Sequence, residues 1–131
     1  MKQLFVKVFL VSILASSLFA DEYIGTYYAK LAKVDHYNSH GTRLSKVASI
    51  IRQDRFNFHV RGIRQKEDTY DPFFMFKENR ATLERMLQRG YISSSASRSI
   101  INGTPIIKVK VFRQHINVEI IEDNIPISSV N

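Results

Sequence analysis

The chain of 131 residues has no cysteine and no tryptophan, and only five glycines and three prolines. Without cysteine there is no disulfide scaffold, thiolate metal site, sulfur nucleophile or lipid-bearing cysteine. The sparse glycine and proline, beside 44% hydrophobic and 24% charged residues, exclude collagen-like and low-complexity chains. No G-x-G-x-x-G or Walker phosphate loop is present, and no G-x-S-x-G elbow or EF-hand loop. Beyond the first twenty residues no apolar run approaches membrane-spanning length.

What is present begins with an address. The first twenty residues, MKQLFVKVFLVSILASSLFA, place Lys2 and Lys7 before an apolar core and small residues at Ala15, Ser16, Ser17 and Ala20. That order predicts a secretory signal at residues 1–20, cut after Ala20, with a cut after Ser17 as the alternative. The apolar stretch of about 13 residues is shorter than the roughly 20 that span a bilayer as a helix. The expected product is a periplasmic or secreted bacterial protein with no integral membrane segment. Residues 21–131 form one small domain and carry 17 basic and 12 acidic residues, a net charge of +5.

Residues Tyr23 to Val34 partly alternate, with Tyr27, Ala29 and Leu31 on one side, and read as a strand. The polar run Asp35 to Gly41 reads as a loop. Thr42 then stands as a candidate N-cap for a helix to Arg55, in which Leu44, Val47, Ala48 and Ile51 share a face. Asp71–Pro72 suggests a second helix start, with Glu78 as the alternative, and Gly90 a stop. The serines between Ser93 and Ser99 offer caps for a turn or two of helix ended by Asn102–Gly103. Ile107, Val109 and Val111 fold against Ile120, Val118 and Ile116, and Lys108 meets Glu119, in a single self-consistent hairpin register. Arg113–Gln114 is a disfavoured two-residue turn, so a longer loop is expected there. The tail after Asp123 is expected to fray. The fold class is therefore α+β: a small antiparallel sheet of N-terminal strand plus C-terminal hairpin, covered by two main helices.

Chemistry concentrates between Asp35 and Arg64, where six basic residues outnumber two acidic ones. Arg43, Lys46, Arg52, Arg55, His59, Arg61 and Arg64 form the candidate ligand-binding set. Guanidinium forks suit phosphate and carboxylate, and Phe56 and Phe58 supply stacking surfaces. The leading expectation is a non-enzymatic domain for a polyanion or acidic protein: polysaccharide, nucleic acid or acidic chain. No cofactor and no resident metal is expected on that reading. The alternative is a metal-assisted hydrolase built on His36, His40 and His59 with Asp35 or Asp54. A third reading docks a partner on Phe73–Phe76.

The strings DHYNSHGTRL and IIRQDRFNFH, the segment Arg61–Arg64 and the helix ENRATLERMLQRG resemble those of small uncharacterised secreted bacterial proteins. The resemblance covers about half of the mature chain. It implies export from a bacterium and assigns no activity, ligand or site residue.

Overall fold

The computed structural model describes residues 20–123 together with Ile127, so the expected leader and most of the expected frayed tail lie outside the described residues. Three antiparallel strands, β1 (Tyr23–Lys30), β2 (Ile106–Phe112) and β3 (Ile116–Glu122), lie in the order β1-β2-β3. Tyr27, Ala29 and Leu31 are fully buried, as their alternation predicts. The hairpin pairs Ile107 with Ile120, Val109 with Val118, Val111 with Ile116 and Lys108 with Glu119, the register read from the sequence. Its connection is the short one after all. Phe112 N–H donates to His115 O at 2.9 Å, which leaves Arg113–Gln114 as a two-residue turn. The turn is held from outside: Gln114 N–H donates to Asp21, and Arg113 pairs with Glu22 at 2.6 Å. Contacts to the start of the domain replace the glycine such a turn usually needs.

The described residues form four helices, α1 (Val47–Phe56), α2 (Lys77–Arg80), α3 (Leu83–Arg89) and α4 (Ser94–Asn102), and α1, α3 and α4 join the sheet in the core. The α1 helix starts five residues later than Thr42. Asn38 explains this, because its Oδ1 accepts from the amides of His40 and Thr42, while its own N–H donates to Thr42 O. These bonds, with Gly41 at φ +80°, close residues 37–43 into a tight loop and hold Thr42 out of the helix. At the other end α1 widens into a π turn, Asn57–Arg61, stopped by Gly62 at φ +66°. The expected face is the inward one, with Ile51 buried and Leu44 and Val47 packed against the core; Ile50 joins it, and its last turn carries the buried charge pair Asp54 and Arg55.

Asp71 caps a bend and not a helix, since its Oδ2 accepts from Phe74 N–H. The expected second helix is consequently divided into α2 and α3. Gly90 ends α3 because of close packing: a Cβ there would lie 1.7 Å from Ile116 O. Ser93 Oγ accepts from Ala96 N–H at 3.0 Å and caps α4. Tyr27, Ile50, Ile51, Phe74, Leu83, Ile100, Ile107 and Ile116 centre the hydrophobic core. No helix among the described residues is long and apolar enough to cross a membrane.

Candidate functional site

The last turn of α1 and the π turn bring a polar cluster into the protein interior. Arg55 is 0% exposed. Its Nε donates to Asp54 at 2.8 Å and its Nη1 to Asp71 at 2.8 Å and to Thr69 O at 3.3 Å. The guanidinium lies over the rings of Tyr27 at 4.1 Å and Phe58 at 4.5 Å, and Arg64 covers Phe58 at 4.3 Å. His59 Nε2 meets the same Asp71 oxygen at 2.9 Å. Asn57 donates to Asp35 at 2.9 Å, and Asp35 also accepts from Ala32 N–H. Tyr27 Oη and Arg55 Nη2 are buried without a partner among the described residues.

Two buried carboxylates, Asp54 and Asp71, thus share one buried guanidinium, with a third, Asp35, held nearby by Asn57. Desolvation, reinforced by mutual repulsion with Asp35 and Asp68, pushes the Asp54 carboxyl up to about 8 against the opposing pull of Arg55. Desolvation raises Asp35 to about 6. Burial lowers the His59 imidazole, and the bond to Asp71 opposes that shift. His36 is buried elsewhere, with Nδ1 and Nε2 each 2.8 Å from a carbonyl, of Ala32 and Ile100. Burial pulls its pKa down and the two carbonyl acceptors resist.

The expected ligand-binding residues therefore do not form one surface. Arg55 is enclosed, and the His59 side chain is 4% exposed against Asp71; neither is presented to a ligand from outside. Arg43 is spent on the carbonyls of His36, Leu44 and Ile101. Arg64 donates to Phe58 O and stacks on that ring. Lys46 faces Glu84 at 3.8 Å. Arg61 is exposed, with one 3.5 Å contact to Asn57. Arg52 projects outward, with no ion pair or hydrogen bond among the described residues. The histidines also diverge: His36 holds carbonyls, His59 holds Asp71, and His40 is exposed. No group of three or more metal-ligating side chains forms among the described residues. In the Phe73–Phe76 run, Phe74 is fully buried, Phe73 is half-buried, and Met75 and Phe76 are exposed.

Arg52 opens instead onto a groove of about 510 Å³. One wall is an outward stripe of α1 and its π turn: Ser49, Arg52, Gln53, Phe56 and Val60, spaced as one helix face. Lys77 and Arg80 line it from α2, and Leu44 and Ser39 from the preceding loop. Arg80 is 6% exposed; its Nη1 donates to the carbonyls of Phe74 and Met75 at 3.0 Å, and its guanidinium sits 5.7 Å from the Phe56 ring centre. Three cations and no carboxylate line the groove. A smaller recess beside it shares Ser49, Arg52 and Arg80 and includes Glu84, the partner of Lys46. Arg52 and Phe56 were accessible to sequence reasoning. Lys77 and Arg80 were not, because the bend after Asp71 is what carries them across to α1.

No family model, curated protein or solved structure matches the chain.

Proposed function

We propose that this chain is an exported, non-enzymatic binding domain that takes an anionic partner at the groove between α1 and α2. The supporting observation is the convergence of Arg52, Lys77 and Arg80 on a lining that contains no carboxylate. Among these, Arg80 is held rigidly by its two carbonyls and Arg52 is free of internal partners, so one cation is preorganised and another is available. Arg55 and His59 take no part in contacting the partner; they hold the end of α1. The secretory pattern of the first twenty residues supports export.

The test compares two variants of equal net charge, Arg52→Glu/Lys77→Glu and Arg98→Glu/Lys110→Glu, on immobilised heparin with a salt gradient. The groove pair is expected to elute far earlier than the control pair, and the wild-type affinity to fall steeply with salt. Equal elution of the two variants overturns the reading, since retention would then follow overall charge alone.

A further inference from the structure

Resting on that reading, we infer that the groove's ligand is a small anionic amphiphile: one carboxylate, phosphate or sulfate head on a single apolar chain. Two observations separate this from a polyanion. First, the neighbouring cations are mostly engaged. Arg55 is buried, Arg43 and Arg64 are occupied by carbonyls and Lys46 faces a carboxylate, so between Asp35 and Arg64 a repeating anion would find only Arg61 beyond the groove's own cations. Second, the rest of the lining is apolar or neutral. Leu44, Phe56 and Val60 share the groove with the cations, and Val60 is 56% exposed with nothing covering it. A chain of phosphates or sulfates would leave those carbons in water or bury charge against them. An alkyl chain covers them.

The layout along α1 gives the ligand a direction. Ser49, Arg52 and Arg80 line both the groove and the small recess, and so mark the end at which the two adjoin. Phe56 lies one turn on from Arg52 and Val60 about one turn further, a path of roughly 12 Å at the helical rise of 1.5 Å per residue. A head seated on Arg52 and Arg80 therefore sends its tail along Phe56 to Val60, with Lys77 flanking. The volume of this open groove lies within the range of small-molecule sites. Its concave form suits a free monomer, with the tail wrapped by the groove walls.

Calorimetric titration with octyl phosphate below its micelle threshold, inorganic phosphate and heparin tests this, on wild type, Arg52→Glu/Lys77→Glu and Val60→Ser. Val60 is exposed, so Val60→Ser leaves the fold intact, and matched melting curves verify that. Octyl phosphate is expected to bind at least tenfold more tightly than inorganic phosphate. Val60→Ser should weaken octyl phosphate several-fold and leave inorganic phosphate unchanged. If octyl phosphate binds no better than inorganic phosphate, while the charge-reversal pair abolishes heparin binding, the anion reading stands and the amphiphile is overturned. If the charge-reversal pair changes none of the three, both fall. Co-sedimentation with phosphatidylglycerol vesicles without monomer binding would also overturn the inference, since the source would then be a membrane surface.

Discussion

Replacing Arg55 by Met removes a buried cation and keeps most of its volume. Asp54 and Asp71 stay inside, each having lost a 2.8 Å charged partner, and Thr69 O loses a donor. Breaking a buried pair from one side costs about 3–5 kcal/mol, because the remaining charge is left uncompensated. The cation–π contacts with Tyr27 and Phe58 add to the loss, while the flexible Met side chain recovers part of the packing. A net loss of about 4 kcal/mol is expected at pH 7, a large share of the roughly 5–15 kcal/mol that holds a domain of this size together. It corresponds to a melting point lower by about 15 °C. Urea titration followed by far-UV circular dichroism reads it as a shift of midpoint at unchanged slope. Two comparisons isolate the cause. Arg52→Met, on the outer face of the same helix, should stay within about 0.5 kcal/mol of wild type. Arg55→Met/Asp71→Asn should recover part of the loss, because the stranded carboxylate is gone. An Arg55→Met protein within about 1 kcal/mol of wild type at pH 7, or a double variant no more stable than Arg55→Met, would refute the reasoning.

The raised Asp54 carboxyl sets a pH dependence. Its folded pKa of about 8 exceeds the ordinary 3.8, so the folded state holds a proton that the unfolded state releases. That contribution is complete below pH 3.8 and is lost as pH rises through the folded value. Between about pH 7 and 8, above the titrations of Asp35 and the two buried histidines, stability should drop by about 1 kcal/mol, and Asp54→Asn should flatten the slope in urea titrations. Gly90→Ala drives a methyl into Ile116 O and should destabilise severely, whereas Gly25→Ala, with open space around it, should change the melting point little. His36→Phe removes the imidazole from the buried Ile100 carbonyl, while Ala32 O keeps the Asp35 amide, and should cost about 2 kcal/mol, read from the same urea midpoints. The secretory pattern of residues 1–20 predicts a mature N-terminus at Asp21, read by N-terminal sequencing of the protein recovered from expressing cells; a product starting at Leu18 would place the cut after Ser17, and an intact Met1 would refute cleavage.

Much of the sheet was legible because a half-buried hairpin has a period of two and admits only one register that buries Ile107, Val109 and Val111 together. Ser93 likewise marks a helix boundary with local chemistry, whereas Gly90 marks a stop whose need for glycine comes from Ile116 on a distant strand. The start of α1 was not legible, because Asn38 competes with Thr42 through bonds across the loop. The same limit explains the charged residues. Nothing in the pattern around Ile51-Arg52-Gln53-Asp54-Arg55 tells which arginine turns inward. That depends on Tyr27 from β1 and Asp71 from a distant bend arriving on one side of the helix. Arg52 and Arg55 are three residues apart, yet one faces the groove and the other is sealed within.

The outer flank of β1 is occupied by the stretch before Asp71. Thr69 N–H donates to Tyr28 O, Thr69 Oγ1 accepts from Tyr28 N–H, and Asp68 accepts from Lys30 N–H. On the far side Tyr91 O takes the amide of Val118. A second molecule trying to lengthen the sheet by strand exchange finds its hydrogen-bonding positions at Tyr28, Lys30 and Val118 already taken by short local segments. Shortening the stretch that carries Asp68 and Thr69 would unmask the first of these flanks and turn a self-limited sheet into a template for aggregation.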